Sequence, residues 1–371
     1  MKFSASSSDL QRILGSVGGV IPSKSTLPIL ENFLFDVSKG QLTVTATDLD
    51  TSMSVNMKVK DTADGKIAVP AKRLSETVRA LPNTDVVFLA EPDSNRIIMK
   101  TSNGEYKLTG ETSDNYPSVA TFKGNDELKI DNEALRRLIG KTSFAVSTDE
   151  LRPAMMGVLF QIKKNELRAV ATDGHRLVKM TNTSFTQGKT ERDIIIPAKA
   201  LNLVVKSFTD SDSSISFSEN HAVFSFDGTT LISRMIEEKY PNYETVIPLD
   251  NDKKLIVDKN QLLSSIRRTS LYASSTTHQV RLSLKKGSLA VSAEDIDFGS
   301  EARETLPCEY SSEAMDIGFN SAYLIDVLSH IDTDEAMFMI STPTRASIVQ
   351  PTKQRDGENL VMLVMPVRLN A

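Results

Sequence analysis

The sequence predicts an α+β fold made of three tandem copies of one unit, each with two helices on strand-rich sheet. Three observations carry this reading. A short extended segment leading into a helical pattern recurs about every 127 residues, a β-hairpin follows at the matched place in each copy, and a strand then runs into a second helix. At roughly 150 residues per domain, the 371 residues suit two or three domains.

The copies open at Lys2-Phe3-Ser4-Ala5, Lys129-Ile130-Asp131 and Ile256-Val257-Asp258. In the helices that follow, Leu10, Ile13, Leu14 and Val17, then Leu135, Leu138 and Ile139, then Leu262, Leu263 and Ile266 share one face of a 3.6-residue period. Asp9 or the adjacent Ser8, Asp131 and Asp258 are the expected N-caps, since a short oxygen-bearing side chain accepts bonds from the open helix amides.

The hairpins join Phe33–Val37 to Leu42–Asp48, Val158–Ile162 to Leu167–Asp173, and Val280–Leu284 to Leu289–Asp295. Apolar residues alternate along them at period two, and Gly40, Asn165 or Gly287 is expected to supply the positive φ of the turn. In each copy a strand then leads into a second helix, through Ile67–Lys72, Ile194–Lys199 and Asp316–Ser321. Those helices read Leu74, Val78, Leu81; Leu201, Val205, Phe208; and Tyr323, Val327, Leu328. Alternating strands such as Asp85–Leu89, Ser214–Phe217 and Ala336–Ile340 close each copy. Boundaries near Phe122 and Pro248 to Asp252 divide the chain into 1–122, 123–249 and 250–371.

With 40% hydrophobic and 25% charged residues, the composition is that of a soluble globular protein. The 43 basic against 48 acidic residues give a net charge of −5, which argues against a uniformly basic surface and leaves room for a local basic patch. A single cysteine, Cys308, makes neither an intrachain disulfide nor a cysteine metal cluster, so a cytoplasmic location is expected. Nothing after Met1-Lys2-Phe3 resembles a signal peptide. The longest apolar run, Leu360 to Val367, is interrupted by Pro366 and reads as a buried strand, well short of the roughly 20 residues of a membrane helix.

No cofactor or metal is expected. Gly140-Lys141-Thr142 and Gly188-Lys189-Thr190 lack the first glycine of a phosphate loop, and Gly15-Ser16-Val17-Gly18-Gly19 follows a helical pattern where a dinucleotide fingerprint needs a strand. Asp48-Leu49-Asp50 and Asp295-Ile296-Asp297 have the carboxylates for magnesium, but as matched strand ends they read as structural. The four histidines show no metal spacing. Only the middle copy carries Asp173-Gly174-His175, where His175 is either a general base near Asp173 or part of a binding site. Lysine and arginine recur beside the helices of every copy: Arg12 and Lys24; Lys72, Arg73 and Arg79; Arg136, Arg137 and Lys141; Lys199 and Lys206; Arg267 and Arg268. Helices facing one side would gather them into a stripe suited to phosphate contacts without sequence preference.

Several segments together resemble the bacterial DNA polymerase III beta subunit, the sliding clamp family. They are Thr26-Leu27-Pro28-Ile29-Leu30, Ala46-Thr47-Asp48-Leu49, Val170-Ala171-Thr172-Asp173-Gly174-His175-Arg176-Leu177, Ile317-Gly318-Phe319-Asn320, Tyr323–Leu328 and the terminal Val364-Met365-Pro366-Val367-Arg368-Leu369. The resemblance spans the chain. It implies three DNA-clamp domains, a head-to-tail homodimeric ring with helices lining the hole and sheets outside, and no catalysis. Such a ring encircles double-stranded DNA without sequence preference and tethers the replicative DNA polymerase, conferring processivity. It also implies that polymerase, clamp loader and repair proteins dock short peptide motifs between the second and third domains.

Carried over residue by residue, the resemblance puts partner-peptide binding first on Thr172, Gly174, His175, Arg176 and Leu177, with Met155, Pro241 and Val246 nearby. From the third copy it adds Asn320, Tyr323 and Ser347, and the terminal Val364, Met365, Pro366, Val367 and Arg368. DNA contacts fall on Lys24 by resemblance and on Arg137, Lys141, Lys199 and Arg268 by their place on the helices. The dimer interface falls on Lys72 and Arg73 against Leu271, Glu301 and Glu304. Met155 stands where many relatives have leucine and Thr245 where some have arginine, while Pro153-Ala154 replaces a tyrosine pair that touches single-stranded DNA in some relatives. Asn370-Ala371 extends beyond the usual ending and is expected at the pocket rim.

Overall fold

The computed structural model describes residues 1–91, 94–119, 126–185, 191–208 and 213–369. Phe122, Gly188-Lys189-Thr190 and Asn370-Ala371 lie outside the described residues. The elements repeat three times. The first copy runs β1 (Lys2–Ser6), α1 (Ser7–Gly18), β2 (Asn32–Ser38), β3 (Gln41–Thr47), β4 (Thr51–Lys58), β5 (Lys60–Ala63), β6 (Gly65–Pro70), α2 (Ala71–Ala80), β7 (Asp85–Glu91), β8 (Arg96–Lys100) and β9 (Glu105–Thr109). The second runs β10 (Asp126–Ile130), α3 (Asn132–Thr142), β11 (Gly157–Lys163), β12 (Glu166–Thr172), β13 (Arg176–Asn182), β14 (Arg192–Pro197), α4 (Ala198–Ser207), β15 (Ser213–Phe217), β16 (His221–Phe226) and β17 (Thr229–Arg234). The third runs β18 (Lys253–Asp258), α5 (Lys259–Thr269), β19 (Gln279–Lys285), β20 (Ser288–Asp295), β21 (Ser300–Pro307), β22 (Glu309–Tyr310), β23 (Met315–Asn320), α6 (Ser321–Ser329), β24 (Glu335–Ile340), β25 (Ser347–Pro351) and β26 (Glu358–Val364).

The chain packs as two units, 1–135 with 199–235, and 136–198 with 236–371. In the first unit an eight-stranded sheet, β10-β15-β16-β17-β4-β3-β2-β6, draws half its strands from each of two copies, and a five-stranded sheet runs β5-β1-β7-β8-β9. In the second unit a nine-stranded sheet runs β14-β11-β12-β13-β26-β25-β24-β18-β22, and a four-stranded sheet runs β21-β20-β19-β23. Copies are therefore joined by antiparallel seams. β4 pairs β17 from Thr51↔Ser233 to Val55↔Thr229, and β13 pairs β26 from Arg176↔Val364 to Asn182↔Glu358. The counterparts of these strands in the repeat, β21 and β9, each end a sheet.

Helix faces explain the packing. Leu10, Ile13, Leu14 and Val17 of α1 are buried in the first unit, where Phe3 stacks on Phe88 at 4.9 Å and Phe35 lies 5.3 Å from Phe88. Each fully buried side chain of this size contributes about 1.5–3 kcal/mol over an exposed one. In the second unit Leu262 and Ile266 of α5 and Leu324, Val327 and Leu328 of α6 are likewise buried.

Local chemistry alters several expectations. Ser6 caps α1, accepting from the Asp9 amide at 3.0 Å and donating to the Asp9 carboxylate at 2.7 Å, so the helix starts before Asp9 and Ser8. Asp131 and Asp258 do accept helix amides, from Ala134 and Gln261, each at 2.8 Å. Lys39 (φ 51°), Gly40 (φ 78°) and Gly287 (φ 71°) are left-handed, whereas Asn165 is not, because asparagine tolerates that conformation without requiring it. In α4, Leu201, Leu203 and Val204 are buried while Val205 is half-buried; Phe208, expected on the same face, is half-buried just beyond the helix end, and in α6 Leu324 occupies the inward place expected of Tyr323. The Leu360–Val367 run is a strand only to Val364. Pro366 has no amide to continue the ladder, and Val367 makes an isolated bridge to Gly318. Among the described residues no helix is long and apolar enough to cross a membrane.

Candidate functional site

The three loops that follow β3, β12 and β20 use one device. Asp48 Oδ1 accepts the amides of Asp50 and Thr51 at 3.1 and 2.7 Å, Asp173 Oδ1 those of His175 and Arg176 at 2.9 Å each, and Asp295 Oδ1 those of Asp297 and Phe298 at 3.1 and 3.3 Å. These carboxylates close turns, and among the described residues no cluster of acids, histidines and cysteine could hold a metal. Leu49 (φ 81°) occupies the left-handed place that Gly174 (φ 89°) fills in the second copy, at a steric cost of about 1–2 kcal/mol. The other Asp173 oxygen takes the Arg176 Nε at 3.0 Å, so Asp173 orients arginine and backbone and does not pair with the His175 imidazole. The general-base reading lacks its carboxylate partner.

In the second unit the seam aligns sequence-distant residues. Arg176, Val364 and Ser347 stand side by side across β13, β26 and β25, and the next row is Leu177, Leu363 and Ile348. Leu177, Ile348 and Leu363 join Leu159, Val170, Ile195, Tyr240 and Tyr243 in one buried apolar cluster. Val246 and Met365 are exposed at 53% and 38%. Burial raises the phenol pKa of Tyr240, Tyr243 and Tyr323, so these hydroxyls stay neutral.

Arg176 binds the two copies together. Its guanidinium reaches Asp173, the Phe144 carbonyl at 2.8 Å and Asp326 of α6. Thr172 Oγ1 donates to the Arg176 carbonyl at 2.6 Å and accepts the Gly174 amide at 3.1 Å, fixing the loop. His175 is exposed and stacks on Tyr323 with centroids 5.9 Å apart. Asn320 caps α6, accepting the Ala322 amide at 2.9 Å. The terminal segment is anchored by Met365 N to His175 O at 2.8 Å and Val367 N to Gly318 O at 2.9 Å. Pro241, Pro366 and Val367 are half-buried and Arg368 exposed, whereas at Met155 the packing against the cluster comes from the neighbouring Ala154. The sequence reading missed Phe144, Asp326, His330 and the two buried tyrosines. Their roles arise from contacts between distant segments, and only the apolar alternation of β11 and β12 hinted at a floor beneath them.

The basic residues differ in their engagement. Arg137 holds Glu358 at 2.5 and 2.7 Å and Asp332 at 2.8 Å, and Lys141 holds Asp332 at 2.5 Å and the His330 carbonyl at 2.6 Å. Lys199 pairs with Asp48, and Arg268 with Glu304 at 2.6 and 2.7 Å. Lys24 is exposed and makes no such bond among the described residues. Arg12, Lys199 and Lys206 line a cleft of about 720 Å³ between α1 and α4. Lys72, Arg73 and Glu301 are exposed, and Leu271 is 81% exposed beyond the end of α5.

Burial alone would raise the Asp332 pKa, but the bonds and charges of Lys141 and Arg137 outweigh it and hold it below the ordinary value. A carboxyl depressed in the folded state stabilises above its unfolded pKa of about 3.9, and that stability is lost as pH falls through the folded value. Urea midpoints measured from pH 6 to pH 2 are therefore expected to decline less steeply for Asp332→Asn than for wild type. Parallel declines would exclude a linked role for this carboxylate.

Comparison with known proteins decides the family. The family described as DNA polymerase III beta subunit matches throughout: its N-terminal domain at residues 1–120, its central domain at 129–242 and its C-terminal domain at 244–368. The chain belongs to the DNA polymerase III beta subunit family. The beta sliding clamp of Pseudomonas aeruginosa is 30% identical over 372 residues, covering 100% of both chains, and that of Synechococcus elongatus is 29% identical over 383 residues with the same coverage. Among solved structures, the sliding clamp (DNA polymerase III subunit beta) from Bartonella birtlesii bound to griselimycin superposes with a TM-score of 0.94 at 30% identity, each chain fully covered. A DNA polymerase sliding clamp from Pseudomonas aeruginosa superposes with a TM-score of 0.91 at 29% identity, also over both full chains. The beta subunit repeat thus accounts for the three-copy α+β architecture.

Proposed function

We propose that this chain is a sliding clamp that closes as a head-to-tail homodimer around duplex DNA and tethers the replicative polymerase. It is a processivity factor and not an enzyme. The observation that carries the ring reading is the pair of unmatched sheet edges. Two copy-to-copy seams are made by β4 with β17 and β13 with β26, and the third combination of the same repeat strands, β21 with β9, is unpaired within the chain and would be supplied by a second subunit. Open edges are templates for pairing, and a two-fold dimer satisfies both at once. At the first seam Asp48 pairs with Lys199, the second residue of α4. By the repeat, the corresponding pair at an intersubunit seam would be Asp295 with Lys72 across the two subunits, with Arg73, Leu271, Glu301 and Glu304 alongside.

Encirclement needs only weak contacts. Arg137, Lys141, Lys199 and Arg268 are each paired with a carboxylate that offsets much of their pull on phosphate, so their part in the DNA surface is weak, while Lys24 has no such partner among the described residues and is the leading contact. Holding the polymerase on the template raises its local concentration, so processivity rises without faster chemistry. Polymerase, clamp loader and repair proteins would insert short peptides beside His175, Arg176, Tyr323 and Met365, over the apolar cluster of the second unit. The domains are 1–122, 123–249 and 250–371, and the protein works in the cytoplasm on double-stranded DNA.

Retention on DNA tests the reading. Loaded by its cognate loader, the protein is expected to stay on closed circles and to leave quickly once they are linearised; equal release rates would refute encirclement. Lys24→Glu is expected to shorten retention mainly at low salt, where exposed charges act furthest, and an effect absent at every ionic strength would remove Lys24 from the DNA surface.

A further inference from the structure

Five side chains form a column across the seam between the second and third copies, in the order His175, Tyr323, Arg176, Phe144, His330. His175 and Tyr323 lie 5.9 Å apart at 16°, the Arg176 guanidinium carbon sits 4.9 Å from the Tyr323 centroid and 5.4 Å from that of Phe144, and Phe144 and His330 are 3.8 Å apart at 12°. Three members, Phe144, His175 and Arg176, come from the second copy and two, Tyr323 and His330, from the third, so the column closes only when the seam is formed. A planar cation held between two rings, with its edge hydrogen-bonded to Asp173, Asp326 and the Phe144 carbonyl, has little freedom to turn. One end, His175, faces the proposed peptide site. At the other end His330 is half-buried, its Nδ1 within 2.7 Å of the Asp326 carbonyl.

We propose that His330 is a positioning residue for the partner-peptide site: its ring holds Phe144 against Arg176, thereby fixing Tyr323 and His175, and protonation of that ring loosens the column. This rests on the peptide-site reading above. The groups around the ring come from every packed element. Lys141 of α3 donates to the His330 carbonyl, Arg176 of β13 lies beyond Phe144, the Asp326 carboxylate is engaged by Arg176, and the Asp332 carboxylate by Lys141 and Arg137. A charged imidazole would thus join two cations whose nearby carboxylates are already engaged. Burial lowers the His330 pKa, and the charges of Lys141 and Arg176 act in the same direction, against the Asp326 carbonyl and carboxylate. For a histidine depressed in the folded state, the neutral column is at full strength above the unfolded pKa of about 6.5 and weakens as pH falls from there toward the folded value.

The test uses the full chain and the tightest binder from a set of fluorescent peptides tiling the catalytic subunit of the organism's own DNA polymerase III. Affinity is read by anisotropy at pH 8 and pH 5.5. His330→Ala is expected to bind about three- to tenfold more weakly at pH 8, the size of one lost ring pair, with an unchanged dimer. His330→Phe, which keeps a ring on Phe144 but cannot titrate, is expected to recover most of that loss and to show a smaller pH effect than wild type. Wild-type affinity in His330→Ala, no recovery in His330→Phe, or an undiminished pH effect in His330→Phe would each overturn the proposal. Should wild type bind none of the peptides, the peptide-site reading itself falls, an outcome distinct from wild-type binding that ignores His330.

Discussion

Deleting Met365 to Ala371 is expected to abolish partner-peptide binding, a loss of at least about a hundredfold or ~3 kcal/mol, while leaving the dimer intact. The strand β26 ends at Val364, so the nine-stranded sheet survives the deletion. What disappears is a segment tied by Met365 N to His175 O and Val367 N to Gly318 O, lying beside the apolar cluster and supplying the exposed Met365. Gly318→Ala should reproduce part of the effect with the tail present, because a Cβ there would come within 2.8 Å of Val367 O and the Leu369 side chain. Anisotropy with a polymerase-derived peptide measures the loss, and sedimentation checks the dimer. Unchanged affinity after the deletion would move the site elsewhere.

The second large effect concerns the open edges. Leu271→Asp is expected to raise the dimer dissociation constant at least about a hundredfold and to end retention on circular DNA, since a desolvated carboxylate without a partner is costly at an interface. The same change should leave the subunit's own denaturation midpoint where it was, because Leu271 is 81% exposed within the chain and Tyr272 beside it 45%. Surface substitutions of that kind stay within about 0.5 kcal/mol. A dimer of normal strength would place the interface away from β21.

Much of this architecture was readable because a repeat triples each local signal. One amphipathic face such as Leu10, Ile13, Leu14 and Val17 is weak evidence, but its recurrence at Leu135 and at Leu262 removes the ambiguity, and the six expected helices are present, although Leu81 and Phe208 fall just past the ends of α2 and α4. Helix starts were harder. Ser6 and Asp9 both have capping chemistry, and only the backbone decides which stands outside the helix. The seams were illegible, since pairing of β13 with β26 joins residues about 180 apart by partner choice and not by pattern. For the same reason Thr172 to Leu177 stood out as a motif, while Phe144 and His330 did not, and Asp326 was read only as part of the Tyr323–Leu328 segment and not as the residue that holds Arg176. Charge counting located Arg137 and Lys141 correctly on a helix and could not foresee that Glu358 and Asp332 would engage them.

Because two of the four sheets are woven from neighbouring copies, the genetic repeat and the mechanical module are out of phase. Excising the middle repeat as a recombinant fragment would sever both interwoven sheets together, leaving the seven-residue β13 and the six-residue β17 bare at once. Such a fragment should self-associate. The sheets of this repeat are therefore complete only where neighbouring copies stay linked, each lending strands to the next.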